Sequence, residues 1–300
     1  MKLALLCLLA ADGVVAPTGK TTTLVAAPSP RVTVAAGPFR MGATADDLQL
    51  ARRLCSDELR GGGALTLELS PRCGSRFDSE SPQAEVFVPA FAVDRTEVTV
   101  AAYAACLRQG ACRPSPELTL EDKQPILPVE RVTWAEAVTF CRWRGGRLPS
   151  EAEWEKAARA FGRRLWPWGT EWQEGRANHG RSPRLGPGAS GGADEDTLDE
   201  ADGFAGRAPV GSFPAGASAF GVLDLAGNVW EWTSGYFSRE PPQAATKYAP
   251  RGPLAGDERT IRGGSYRSPP SDLRVTRRLG LSPEERLPGV GFRCAYDVKS

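Results

Sequence analysis

Glycine and proline punctuate this chain too often for long regular elements: 33 glycines and 25 prolines are spread over 300 residues. Proline removes a backbone donor and glycine loosens the backbone, so a helical bundle would be out of place. The pattern suits a loop-rich α+β fold of short strands and helices. With 41% hydrophobic residues the chain can bury a sizeable core, and one large domain is the simplest organisation at this length. No repeat of fixed period is visible.

Short elements can be placed individually. Val32-Thr33-Val34 reads as a strand, and residues 37–42 as a strand and turn. Residues 43–80 are polar and glycine-interrupted, which predicts an insertion between strands. Glu85-Val86-Phe87-Val88 and Phe91-Ala92-Val93-Asp94 read as short alternating strands. Thr99 can cap a helix running to Arg108. Thr133 with Glu136, and Ser150 with Glu153, form capping boxes that satisfy free N–H groups at two further helix starts. The first of these helices should carry Ala137, Val138 and Cys141 along one face and end at Gly145-Gly146; the second should turn Trp154, Ala157 and Ala158 inward. Residues 166–210 show little regular pattern, and 186–202, glycine-rich and then acidic, read as a surface loop.

Thirty-seven basic against 36 acidic residues leave a formal charge of +1, which gives no footing for a nucleic-acid or anionic-membrane partner. Residues 1–16 begin with Lys2 and a short apolar run, which predicts a cleaved signal peptide. Residues 17–30 read as a flexible leader. No other segment is apolar for the ~20 residues a membrane span needs. If Cys7 leaves with the signal, Cys55, Cys73, Cys106, Cys112, Cys141 and Cys294 remain, an even set that suits a secreted, periplasmic or cell-envelope protein. Their pairing is open from sequence alone. Cys106 and Cys112 flank Gly110 and can close a small loop, and Cys55 and Cys73 flank Gly61-Gly62-Gly63 and can pin the insertion.

Four segments carry a resemblance. They are Arg147-Leu148-Pro149-Ser150-Glu151-Ala152-Glu153-Trp154-Glu155, Gly227-Asn228-Val229-Trp230-Glu231-Trp232-Thr233, Arg262-Gly263-Gly264-Ser265-Tyr266 and Gly291-Phe292-Arg293-Cys294-Ala295. In this order they resemble the formylglycine-generating-enzyme, or sulfatase-modifying-factor, family. The resemblance covers about residues 31–297 and implies that family's C-type-lectin-like fold. It also implies a Cys141–Cys294 bridge and two structural calcium sites. The first would use the side chains of Asp224 and Glu231 with the carbonyls of Gly227 and Val229. The second would use Asn178 and Asp202 with the carbonyls of His179 and Phe204. Oxygen ligands from irregular chain are what a hard cation takes.

Active members of that family oxidise a sulfatase cysteine using copper held by two cysteines. Ser268 and Leu273 stand at those two positions, and Arg278 and Ala158 replace a further family disulfide. Cu(I) prefers thiolates, so no copper is expected here. A single histidine, His179, read as an ordinary surface residue, leaves neither a zinc or iron ligand set nor a Ser/His/Asp triad to choose from. Tyr266, Arg267, Asp272, Arg274 and Arg277 surround the vestigial site and make a candidate ligand cleft, arginine forks being suited to carboxylate or phosphate. Trp166, Trp168, Trp230 and Trp232 read as core rather than a sugar platform. The expected function is that of a secreted, non-catalytic binding or accessory protein with an unknown protein or peptide partner. The alternative is a formylglycine-generating or related oxidase acting despite the substitutions.

Overall fold

A computed structural model describes residues 29–60, 69–113, 124–180 and 200–298. The signal peptide, nearly all of the leader, the Gly61-Gly62-Gly63 run and most of the 186–202 loop lie outside the described residues. Three small sheets surround one helix. Strand β1 (Arg31–Val34) pairs antiparallel with β4 (Phe91–Asp94), which pairs in turn with β9 (Ala295–Asp297), so the two ends of the fold share a sheet. β2 (Gly37–Met41) pairs with β3 (Ala84–Val88). β5 (Trp230–Tyr236) lies between antiparallel β6 (Arg259–Arg262) and parallel β8 (Val290–Gly291), with β7 (Arg278–Leu281) beyond β6.

Alternation explains β2 and β3: Phe39, Met41, Val86 and Val88 are buried while Pro38, Arg40, Glu85 and Phe87 face out. It fails for β4, where all four residues are buried. Phe91 and Val93 join the cluster around Trp154, and Ala92 joins the cluster around Tyr103, Phe140 and Phe292, so β4 divides two cores.

Helices α2 (Val100–Arg108), α3 (Trp134–Trp143) and α4 (Glu151–Arg159) start where the caps predict; Thr133/Glu136 and Ser150/Glu153 both close as full capping boxes. α4 differs from expectation in having no outer face. All nine of its residues are buried, because β2, β3, β5 and β6 pack against it. Its charged side chains are therefore matched inside the protein. The Lys156 amine donates to the carbonyls of Ala35, Gly37 and Val88 at 2.7, 2.9 and 3.2 Å. Arg159 donates to the carbonyls of Arg40 and Gly42. Glu155 accepts from the Gly42 amide and from Arg262.

The 43–80 insertion is more structured than its composition indicates. It contains a 14-residue helix, α1 (Ala45–Glu58), opened by a Thr44/Asp47 capping box. Leu48, Ala51 and Cys55 lie on one side of it and pack with Cys73 and Phe77. The Cys55–Cys73 bridge fastens this satellite. Cys106–Cys112 closes a turn in which Gly110 takes φ 69°, and Cys141–Cys294 ties α3 to the chain entering β9. A four-residue turn of helix, α5 (Pro242–Ala245), completes the set. Among the described residues no helix is long and apolar enough to cross a membrane.

Two outcomes follow. Replacing both Cys141 and Cys294 by alanine, which opens a link across 153 residues, should lower unfolding stability by about 2–5 kcal/mol in denaturant titrations. An unreduced digest should recover the peptides of these two residues joined.

The second concerns Glu58, whose carboxylate accepts from the Ser271 amide at 2.8 Å and from its hydroxyl. Burial outweighs these bonds and raises its pKa from 4.5 to about 7. The fold thus favours the protonated form. Its contribution is fully present below pH 4.5 and is lost as pH rises through about 7. Glu58→Gln should gain on the parent by about 1–3 kcal/mol between pH 5 and pH 8; a pH-independent difference in urea unfolding would refute the shift.

Candidate functional site

Two of the recognised segments converge, and the chain at Gly180 joins them. The Gly227 amide donates to the Gly263 carbonyl, the Tyr266 amide to Asn228, and the Gly180 amide to Ser268, each at 2.9 Å. Gly227 is required where it stands: its φ is +82°, and a Cβ there would come within 2.0 Å of the Asn178 carbonyl oxygen.

The two positions that the resemblance sets against the family cysteines belong to the interior. Ser268 is held by a pair of bonds with Ser265: its hydroxyl accepts from the Ser265 amide at 3.0 Å, and its amide donates to the Ser265 carbonyl at 2.8 Å. Leu273 has no exposed surface and packs with Leu165, Trp166, Ala177 and Ala226. Between them the 3-10 turn Pro270–Asp272 is gripped from outside by Glu58 of α1, and the Trp166 indole donates to the Pro270 carbonyl. Trp166, Trp230 and Trp232 are core residues, while Trp168 is half-buried and stacks on Trp166.

The candidate ligand cleft divides. Asp272, Arg274 and Arg277 form a buried ion network. Arg274 forks onto Glu80 at 2.7 and 2.8 Å, and Asp272 takes Arg277 at 2.7 Å together with Arg76. Burial alone would raise the Asp272 carboxyl, but Arg277 and Arg76 hold it below the usual carboxylate range. Tyr266 is buried as well, and desolvation with Glu130 nearby raises its phenol. Only Arg267 of the five is partly exposed, its guanidinium 5.1 Å from the Tyr266 ring centre. These side chains therefore do not share one open surface. The sequence could not show this, because the network's partners, Arg76 and Glu80, come from the insertion.

The two candidate calcium loops abut. In the first, both oxygens of Glu231 are taken by the Arg293 guanidinium at 2.7 Å each, and one also accepts from the Trp154 indole at 2.9 Å. Arg293 further donates to the carbonyls of Asp94, Arg95, Leu223 and Asp224. Asp224, with φ 56°, accepts from the Gly211 amide at 2.7 Å. Beside it stands Glu97, which sequence reasoning missed. Glu97 is fully buried, its carboxylate oxygens receive no N–H or hydroxyl donor, and burial with the Asp224 carboxyl beside it raises its pKa well above the ordinary value. The loop thus gathers Glu97, Asp224 and Glu231 around Arg293, an excess of negative charge that fits either protons or a cation.

In the second loop Asp202 accepts from the His179 amide at 2.8 Å and the Phe204 amide at 3.0 Å, bringing all four expected residues together. Asn178 donates to the Gly206 carbonyl and to the Asn228 side chain, and its own carboxamide oxygen is buried with no hydrogen-bond partner. An orphaned buried oxygen beside a carboxylate fits a hard cation. His179 is buried, contrary to its reading as a surface residue. Its ring sits edge-on to Trp172 at 5.1 Å, and its nitrogens face the Gly180 carbonyl and Glu174. Among the described residues no three His, Cys, Asp or Glu side chains form a metal-ligand group by themselves. Any cation here would need carbonyl and carboxamide oxygens in addition to the carboxylates.

Comparison with known proteins agrees with this architecture. The family model described as the sulfatase-modifying factor enzyme 1-like domain matches residues 20–298. Formylglycine-generating enzyme of Mus musculus is 37% identical over 179 residues, covering 57% of this chain and 44% of that protein. Inactive C-alpha-formylglycine-generating enzyme 2 of the same organism is 39% identical over 178 residues, covering 56% and 49%. Hercynine oxygenase of Mycolicibacterium thermoresistibile is 34% identical over 262 residues, covering 74% and 54%. The chain thus spans about half the length of the curated relatives it matches. Among solved structures, PvdO from Pseudomonas aeruginosa superposes with TM-score 0.62 at 24% identity, covering 89% of this chain and 94% of that one. Treponema denticola variable protein 1 gives 0.59 at 19%, with the same coverage; these two likenesses concern the fold. With the family domain matched across nearly its whole length, the chain belongs to the sulfatase-modifying-factor family.

Proposed function

We propose that this chain is an exported, non-catalytic member of its family, a binding or accessory domain for a protein or peptide partner. The observation that carries this reading is Leu273, which fills apolar core at one of the two positions where the family resemblance calls for a copper thiolate. At the other, the Ser268 hydroxyl is tied to Ser265. The six cysteines of the described residues are all joined in disulfides, so no nearby thiolate takes over. Three bridges also favour an oxidising compartment, secreted or in the cell envelope. Relatives of nearly equal identity are named as an active enzyme and as an inactive one, so likeness alone does not decide between the two.

Calcium belongs to the same proposal as a structural ion. The loop of Asn178, His179, Asp202 and Phe204 is the better candidate, because the Asn178 carboxamide oxygen lacks any other partner. At the loop of Asp224, Gly227, Val229 and Glu231, a cation would compete with the Arg293 fork on Glu231.

A chelator should therefore lower the melting temperature, and added calcium should restore it, since a ligand bound only by the folded state stabilises that state. An unchanged melting temperature, with no metal in the purified protein, rejects the ion.

Cu(I) should bind no more tightly than to an arbitrary protein of this size, and a peptide carrying a sulfatase motif should remain unoxidised above background. Restoring cysteine at 268 and 273 need not rescue turnover, because Pro269-Pro270 stiffens the chain between them. Copper-dependent formation of formylglycine by the unaltered chain would overturn the non-catalytic reading.

A further inference from the structure

A pocket of about 370 Å³ opens between the 75–79 turn, the chain leaving β5, and β7, away from Tyr266, Arg267 and Ser268. Four arginines line it: Arg76, Arg239, Arg277 and Arg278, with Phe237 and Leu279 as apolar wall. We propose that it is a binding site for an organic phosphate or sulfate ester, a tetrahedral oxyanion carried on an apolar group.

The floor is rigid. Arg278 is clamped by Glu151 at 2.9 and 2.8 Å and donates to the carbonyls of Ser79 and Ser238. Arg277 is fixed by Asp272 and by the carbonyls of Arg76 and Arg278, which leaves its Nη2 group without a hydrogen bond. Guanidiniums already held in place lose little freedom when an oxyanion arrives.

The charge is also incomplete. Asp272 serves both Arg76 and Arg277, and the nearby Glu80 is taken up by the fork of Arg274. At the rim, Asp78 is engaged by Arg52. Arg239 is exposed and makes no contact with any acid among the described residues. Asp272 faces both Arg76 and Arg277, and Arg239 beside them meets no acid among the described residues, so the pocket is electropositive. Crowding shows in Arg277, where burial and the charge of Arg76 outweigh Asp272 and Glu80 and lower its pKa. The volume exceeds what a bare oxyanion fills, and Phe237, whose ring lies 4.8 Å from the Arg278 guanidinium, gives the organic part a face to rest on.

Calorimetric titration at low ionic strength with 4-nitrophenyl phosphate and 4-nitrophenyl sulfate tests this, with inorganic phosphate and sulfate alongside. At least one aryl ester should bind saturably, one per chain, more tightly than its inorganic counterpart, and added salt should weaken it. The stronger of the two identifies the oxyanion. Arg239→Ala should weaken binding by about tenfold and Arg239→Glu by more, while both melt like the parent, because Arg239 holds nothing together. No saturation by either ester, equal affinity for the bare ions, or undiminished binding by Arg239→Glu would overturn the assignment.

Discussion

Burial of α4 on every side sets the terms for the rest of the structure. A helix carrying Glu151, Glu153, Glu155, Lys156 and Arg159 would ordinarily turn those residues to water. Here they are buried among three sheets: Glu153 pairs with Arg147 at the helix start, and the others must find their partners in the sheets and the chain beside them. Lys156 finds carbonyls at the ends of β1, β2 and β3, although desolvation still lowers its pKa to about 8. Arg262 of β6 reaches Glu155 and the carbonyls of Val275, Thr276 and Arg277. Such pairs add little net stability, because taking charges out of water opposes their attraction. Removing one partner leaves the other stranded, so they fix where each strand lies rather than how firmly it is held.

The same logic reaches the candidate loops through Trp154. Its indole and the Arg293 guanidinium meet on Glu231, so α4, β5 and the segment before β9 are joined at one buried carboxylate. Arg293 then gathers four carbonyls from the 94–95 and 223–224 turns. This holds Asp224 beside Glu97 and presses Gly227 onto Asn178. The loops that the family resemblance marks for calcium are thus positioned by protein charges whether or not an ion is bound.

What was legible in the sequence was local. Thr133 with Glu136 and Ser150 with Glu153 announce helices because capping is decided within four residues. The small bridge at Cys106 and Cys112 is readable from a glycine between close cysteines. Helix α1 was hidden because its N3 residue is Asp47 rather than the usual Glu or Gln and its mean composition is polar. The signal was the spacing of Leu48, Ala51 and Cys55 behind Thr44. Burial of charge was not legible at all. Arg274, Arg277 and Asp272 look like a surface cluster until Arg76 and Glu80 arrive from nearly two hundred residues away. His179 is the same case, since a polar residue is read as exposed unless its partner is known.

On the proposed reading, Leu273 and Glu58 set this site apart from a copper centre. A Cu(I) site of the kind the resemblance implies needs two thiolates that are free to approach each other. Here one position is packed among Trp166, Leu165 and Ala226, and the turn between the two positions is held by α1. A shorter side chain at 273 would leave a void among those residues, which costs about 1–3 kcal/mol for a deletion of that size. Ser268 would have to release its bonds to Ser265. Ser268 and Leu273 are therefore built into the packing of the core. On the non-catalytic reading proposed above, a copper site at these positions would require the insertion helix and the apolar wall behind Leu273 to move, in addition to two cysteines.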